Sequence, residues 1–472
     1  MKTLTRPSTK TNELPIRILQ FGEGNFLRAF VDWFVDDLNK KHNYQTGVAV
    51  LQPIEHGMTE MLTAQDGLFH HLIQGIENGK LIDEAILNSC IQLAINPFND
   101  PHKYFDLSTS TDLKLIFSNT TEVGIVFNEN DKPNESLALT FPGKLVQFLK
   151  KRFDSIGDNQ DSEIGIVPCE LVESNGDKLK KCAEQYSALW GLGAGFDSWL
   201  ATHVHFANTL VDRIVPGYPK DEIDVIRDRI GFNDQLVVKS ETFHLFVIEG
   251  DEFIQTHFPA HKYGLNVKYV ESIAPYRTQK VRILNGAHTS MVPVGLLSGI
   301  ETVRETVEDA QVGAFVQKTI FEEIVKTIDI PGEDPKVFAD QVLTRFKNPF
   351  IRHELISISL NSVSKWKVRV LPTVLDYLAK NGELPKRLTF SLACLIKLYL
   401  SDNFQLNDDE SVLSFFAGLK SSIGADQIVN STLSNADFWG QDLSKVSGMT
   451  DLVTSYFKAI SSSSVRATLD NI

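Results

Sequence analysis

Near residue 240 the hydrophobic period of this chain changes. Before it, short apolar runs at 16–21, 47–51, 113–118 and 164–167 alternate with stretches of helical spacing and end at glycine, asparagine or proline. Further strand-like runs follow at 236–239, 243–248 and 267–270. Beyond residue 300 the apolar residues recur at amphipathic helical spacing over 303–328, 334–345, 353–378, 387–400 and 412–419. Strands mixed with helices, then helices alone, imply an α/β domain followed by a mainly α-helical one, with expected limits of 1–236 and 237–472. A chain of 472 residues also exceeds what one hydrophobic core usually supports. The polar tail from Ser461 to Ile472 is expected to fray.

The first run breaks at Gly22-Glu23-Gly24, and helical spacing resumes from Phe26 to Leu38. Strand, glycine turn and helix, in that order, make the dinucleotide site of a Rossmann-type domain. Glycines let the backbone approach a pyrophosphate, and free N–H groups at the helix start attract it. Leu27 stands where the usual fingerprint has its third glycine, and a plain tight turn would use two glycines as readily. The second strand continues Gln52-Pro53-Ile54-Glu55, so Glu55 is a late candidate for the ribose hydroxyls. No arginine follows to pair with a 2′-phosphate, which favours NAD over NADP. After 113–118 comes Asn119-Thr120-Thr121-Glu122-Val123-Gly124, a polar loop at a strand's carboxyl end.

The chemistry concentrates in Lys280-Val-Arg-Ile-Leu-Asn285-Gly-Ala-His288, a lysine, an amide and an imidazole within nine residues of apolar sequence. If 278–297 is an α-helix, His288 lies roughly 80° and Asn285 roughly 140° around from Lys280, so one wall can hold all three. Pro293 is expected to end or kink that helix. Partial desolvation would lower the lysine's pKa toward that of a general base. Asn285 could donate to an oxygen gaining charge, while His288 fixes or relays the proton. Removing a hydroxyl proton as hydride leaves the same carbon is the chemistry suggested. A snorkelling lysine, a capping asparagine and a core histidine would show the same spacing.

Several function classes are excluded. Net charge is −14 and no basic block stands out, which argues against nucleic-acid or anionic-membrane partners. There is no apolar run long enough to cross a bilayer and no signal-peptide core after Met1, so a cytoplasmic location is expected. Cys90, Cys169, Cys182 and Cys394 are scattered, as in a reducing compartment, and the pairs His70-His71 and His203-x-His205 match strand alternation as well as ligand spacing, so no metal is expected. An acidic substrate would need a local group of cations within this negative chain.

The Lys-x4-Asn-x2-His spacing resembles the signature of the long-chain polyol-specific dehydrogenases, the mannitol dehydrogenase family. Val281-Arg-Ile-Leu-Asn-Gly-Ala-His-Thr289 and Phe21-Gly-Glu-Gly-Asn-Phe-Leu-Arg-Ala29 are similar to its sugar-acid branch, and the likeness runs through nearly the whole chain. The resemblance implies Lys280 as acid/base, Asn285 holding the reacting oxygen and His288 orienting it. It implies NAD on the first turn, with Ile18, Leu19, Gln20 and Phe21 from the strand and Gly22, Glu23 and Gly24 from the turn. Asn25, Phe26, Leu27, Arg28 and Ala29 would supply the helix start, and Thr121 and Glu122 would lie beside the nicotinamide. A small sugar acid would meet Asp212 and Arg213, and the block Arg345, Asn348 and Arg352, with Lys262 and Arg277 as further cations. Leu171 departs from the asparagine that mannitol-type members place there, which leaves a second oxyanion donor in doubt. Members acting on other keto-hexonates or on mannitol share the trio. A Schiff-base aldolase using Lys280 and a non-catalytic NAD-binding regulator are rival readings from other classes.

Overall fold

A computed structural model of the chain describes residues 1–472 except 122, 134–136 and 421–423, so the expectation for Glu122 lies outside the described residues. The backbone divides into two compact units, Met1–Ile273 and Ala274–Ile472.

In the first unit β1 (Ile16–Phe21) and β2 (Gly47–Leu51) precede a hairpin, β3 (Phe69–Glu77) with β4 (Lys80–Asn88). Then come β5 (Ile91–Ile95), β6 (Leu115–Ser118), β7 (Ile164–Pro168) and β8 (Val204–Phe206). All but the hairpin form one parallel sheet in the order β5-β2-β1-β6-β7-β8. The strand order reverses between β1 and β6, and their carboxyl ends therefore flank the crevice where open α/β sheets take ligands.

These strands read as continuous apolar runs because both faces are covered. Ile18, Val48, Val50, Leu115 and Phe117 share a core with Phe34, Val35 and Leu38 of helix Val31–His42. The alternate residues, Leu19, Phe21, Ala49, Leu51 and Ile116, pack with Leu145, Phe148 and Leu149 of helix Phe141–Ile156. Each such buried side chain contributes roughly 1.5–3 kcal/mol before entropy is counted.

The single helix expected over 26–38 is two, Asn25–Arg28 and Val31–His42. At the break, Arg213 Nη1 donates to the Ala29 carbonyl at 2.8 Å. That bond satisfies an acceptor the helix no longer uses.

The later strands of this unit are β9 (Asn208–Asp212), β10 (Val238–Ser240), β11 (Leu245–Glu249) and β12 (Val267–Tyr269). β10 pairs with β3, and β11 lies between β9 and β12. Their ladders close on partners from earlier in the chain, which is why the first unit runs on to Ile273 instead of stopping at 236.

Asp32 is fully buried under the glycine turn. Burial pushes its carboxyl up to about 7, against the opposing pull of Gln20 and Arg28. The folded chain thus keeps this proton to near neutrality, whereas an unfolded aspartate releases it around pH 4. Stability from the retained proton is complete below that lower value and is lost as pH rises toward 7. Relative to Asp32→Asn, the wild type is expected to lose roughly 3 kcal/mol between pH 5 and 7.5. Urea denaturation of both proteins at the two pH values measures this, and a pH-independent difference would contradict it.

In the second unit the helix expected over 353–378 is three, Leu355–Ile358, Ser362–Arg369 and Leu371–Asn381, with Pro372 in the first turn of the last. The one expected over 303–328 breaks after Glu308 and loosens to a π-helix at Thr319–Ile324. Pro293 lies inside Gly286–Leu297 and does not end it. The tail does not fray: Val465–Leu469 is helical, Val465 and Leu469 are buried, and Arg466 forks onto Asp309 at 3.1 and 2.9 Å. No helix among the described residues is long and apolar enough to cross a membrane.

Candidate functional site

The register of the parallel sheet brings Phe21 beside Leu51 and Ser118, so three strand ends meet at Gly22. Gly22 N–H donates to the Leu51 carbonyl at 2.9 Å and Asn119 N–H to that of Phe21 at 3.0 Å. Gly22 adopts φ +115°, and a Cβ there would stand 2.9 Å from the Asn119 carbonyl oxygen. Gly24 is different: its φ is −67°, and nothing lies within 4 Å of an added Cβ. The N–H groups of Gly24, Asn25 and Phe26 donate to no other described residue. A tight turn with open space and unengaged amides fits a pyrophosphate.

Most of the residues expected at this turn build it rather than face it. Ile18, Leu19, Phe21 and Leu27 are core, and Leu27 packs beneath Gly22 in place of the third glycine. Gln20 donates to the Gly22 carbonyl at 2.9 Å. Arg28 is buried, donates through Nε to the Glu23 carbonyl at 3.1 Å and through Nη2 to Asn25 Oδ1 at 2.8 Å, and lies over the Phe69 ring. Phe26 stacks on Phe30 with ring centroids 5.0 Å apart. Glu23 is buried and accepts from Met58 N–H, and burial raises its pKa. On the β6 side Thr121 is exposed, while Thr120 is fastened by Glu170 at 3.0 Å from its N–H and 3.1 Å from its hydroxyl. Glu170 also accepts from Ser118, and this buried carboxylate, two residues past β7, holds the loop. Its position at a strand end was the signal for it. At the end of β2, Gln52 is turned inward to the Ile54 and Glu55 carbonyls, and Glu55 is exposed.

The second unit carries the trio. Ala274–Gln279 is α-helical, Lys280–Asn285 is a π-helix, and α-helix resumes at Gly286. Gly286 N–H bonds to the Val281 carbonyl, five residues back. An α-helix would leave Lys280 and Asn285 on divergent faces, whereas i→i+5 bonding turns the fifth residue back over the first. His288 follows three residues later on the same side. The wider turn tightens a grouping that regular helical spacing only approximates.

Lys280 and Asn285 are half-buried and His288 is 7% exposed. Asn285's side-chain amide donates to no described residue, and its carbonyl accepts from Thr289. The His288 ring packs against Phe346 at 4.3 Å and His353 at 5.0 Å. Its Nε2 is buried and meets no partner among the described residues. Burial, then His353, Arg345, Arg369 and Lys365, hold its pKa well below the usual histidine value. A neutral imidazole of that kind orients a hydroxyl better than it relays a proton.

The expected substrate residues are divided between the two units, Asp212, Arg213 and Lys262 in the first and Arg277, Arg345, Asn348 and Arg352 in the second. Asp212 is buried on β9, opposite Leu245. Arg213 spends its guanidinium on the Glu241 and Ala29 carbonyls and lies 4.3 Å over Trp33, which makes it a brace within the first unit. Lys262 is exposed and Arg277 half-buried. Arg345 and Asn348 are buried at the end of helix Pro335–Phe346, and Asn348 Oδ1 accepts from Phe350 N–H at 3.0 Å. Arg352 points outward with its side chain 63% exposed, and Glu301 and Glu354 hold it at 3.0 and 3.1 Å. Two carboxylates already neutralise it, so Arg352→Ala is expected to leave both the melting temperature and the preference between acidic and neutral substrates at wild-type values. Thermal melts and paired kinetics check this. A cavity of about 460 Å³ in the first unit, lined by Phe105, Trp190 and their neighbours, includes none of these residues.

Two family models match the chain, the mannitol dehydrogenase Rossmann domain over residues 16–262 and the mannitol dehydrogenase C-terminal domain over 272–461. An altronate oxidoreductase of Bacillus subtilis is 43% identical over 95% of this chain and 93% of its own length. That of Pectobacterium carotovorum is 40% identical, covering 100% of this chain and 99% of the relative. Among solved structures, Pseudomonas fluorescens mannitol 2-dehydrogenase, a ternary complex with NAD and D-mannitol, aligns with TM-score 0.70 at 20% identity over 100% of this chain and 99% of its own. A D-sorbitol dehydrogenase in substrate-free form aligns with TM-score 0.81 at 19% identity over 99% and 100%. With a Rossmann sheet in one unit, a Lys–Asn–His stripe on a π-turn in the other, and both family models matched, this chain belongs to the mannitol dehydrogenase family of oxidoreductases.

Proposed function

We propose that the protein is an NAD-dependent oxidoreductase interconverting D-altronate and D-tagaturonate, with Lys280 as general acid/base. The observation that carries this reading is likeness over nearly the full length, at 40–43% identity, to altronate oxidoreductases. The π-helical grouping of Lys280, Asn285 and His288 supports the assignment of roles.

In the oxidation direction Lys280, as the free amine, takes the proton of the reacting hydroxyl. Asn285 donates its amide N–H to that oxygen as negative charge builds on it. His288, neutral and held between Phe346 and His353, offers Nε2 to a substrate hydroxyl and fixes its direction. In reduction the Lys280 ammonium returns the proton. The backbone amides from Gly24 to Phe26 and the loop after β6 are the parts of the first unit that would hold NAD. When bound, NAD supplies the hydride acceptor. The absence of an arginine after β2 supports NAD over NADP.

An absorbance assay with NADH and with NADPH across tagaturonate, fructuronate and fructose tests the proposal. Tagaturonate with NADH is expected to give the highest kcat/KM. A clear preference for fructose would assign a neutral-polyol activity instead, and a preference for NADPH would overturn the cofactor assignment.

A further inference from the structure

A hexonate brings a carboxylate to a chain whose own net charge is −14, so some cation must be left uncommitted to meet it. Most guanidinium groups of the second unit are spoken for. Arg282 pairs with Asp376, Arg387 with Glu322 and Glu323, Arg466 with Asp309, and Arg352 with Glu301 and Glu354.

Arg369 is the exception among these. It is half-buried at the last turn of helix Ser362–Arg369, and its guanidinium makes no hydrogen bond or ion pair with any described residue. Burial lowers its pKa, and no carboxylate opposes that. One turn before it, Lys365 donates to the Ile358 carbonyl at 3.0 Å, and burial and then the charge of Arg369 lower its pKa, with Asp408 opposing. Two like charges at i and i+4 on a half-buried helix face repel each other, and the one carboxylate that opposes this, Asp408, acts on Lys365 and not on Arg369.

The end of this helix is held close to the reacting segment. An added Cβ on Gly286, the residue between Asn285 and His288 that closes the π-turn, would stand 3.0 Å from the Arg369 carbonyl oxygen. Arg369 and Lys365 are also among the charges felt by the His288 ring, whose buried Nε2 meets no partner among the described residues. An unpaired guanidinium and an unpaired ring nitrogen therefore belong to one neighbourhood, beside the proposed base.

We propose that Arg369 reads the carboxylate of the sugar acid, gripping it with its planar fork while His288 Nε2 meets a hydroxyl of the same substrate. Arg369 thereby replaces Arg352 as the residue that separates sugar acids from neutral sugars. The inference rests on the reading of Lys280, Asn285 and His288 as the reacting group.

The test uses the full chain with Arg369→Gln and Arg369→Lys, each first shown by thermal melting and NADH binding to be folded. For tagaturonate, Arg369→Gln is expected to lower kcat/KM on the order of 100-fold, mainly through KM, and by less than about threefold for the matching neutral keto-hexose. Arg369→Lys should recover part of the loss, because a point charge attracts but does not fork. Competitive inhibition by a six-carbon aldonate against the corresponding alditol gives the same comparison without turnover. An equal loss for acidic and neutral ligands, or no loss for either, overturns the proposal. If the wild type prefers a neutral sugar from the outset, the functional reading fails instead, before any variant is compared.

Discussion

Lys280→Ala is expected to lower turnover by about 10³–10⁴-fold while NADH binds as in the wild type. The expectation follows from what the side chain alone supplies. Asn285 can stabilise charge on the reacting oxygen and His288 can direct it, but neither can accept its proton, since an amide has no basic site and the imidazole is occupied as an orienting group. The glycine turn belongs to the other compact unit, so the variant should retain the wild-type dissociation constant for NADH. Because Lys280 is only half-buried, its removal opens no sealed cavity and the melting temperature should change little. Partial rescue by added alkylamines would tie the loss to the missing base. Wild-type turnover in the variant would end the assignment. A borohydride-trapped adduct at Lys280 after addition of a keto sugar acid would favour the Schiff-base reading over proton transfer.

The two glycines of the first turn are expected to fail in opposite ways. Gly22→Ala should destabilise the chain by about 3 kcal/mol, from a strained backbone together with a steric clash. A Cβ at Gly22 would press on the Asn119 carbonyl, and Asn119 cannot retreat, because its N–H is bonded to Phe21 and its Nδ2 to the Cys169 carbonyl at 2.7 Å. Gly24→Ala has ordinary φ and open space around it, so stability should stay within about 0.5 kcal/mol of wild type. That same open space is where a pyrophosphate would lie against unengaged amides, and NADH affinity should fall about tenfold or more. Thermal or urea unfolding separates the first effect from the second, and fluorescence titration with NADH reads the second. NADH binding unchanged in Gly24→Ala would mean that this turn does not cradle the dinucleotide.

Four strands of the parallel sheet, β1, β2, β6 and β7, were legible because that sheet is covered on both faces, so each is a compact apolar run closed by a turn residue, whereas β5 and β8 at its edges were not read. Ile16–Phe21, Gly47–Leu51 and Ile164–Pro168 all read this way. Helix limits were less legible where partners from distant sequence intervene. Residues 26–38 look like one helix, yet Arg213, far along the chain, takes the Ala29 carbonyl and two helices result. The tail looked loose because its composition is polar, but Arg466 finds Asp309 and two apolar residues find cover. Arg213 and Arg352 matched the family's substrate blocks in type and spacing. What each guanidinium touches, backbone carbonyls in one case and Glu301 and Glu354 in the other, is not encoded near them in the chain.

By itself the sequence determined the class of fold, the glycine turn and the identity of the Lys–Asn–His trio, because apolar periodicity and side-chain chemistry are local properties. Tertiary structure decided how the trio is grouped and that the Arg369 guanidinium meets no partner among the described residues. A π-turn at Lys280–Asn285 carries no pattern distinct from an α-helix. It occurs where Gly286 admits the carbonyl of Arg369, a residue on another helix, and only packing between elements remote in sequence can place that contact.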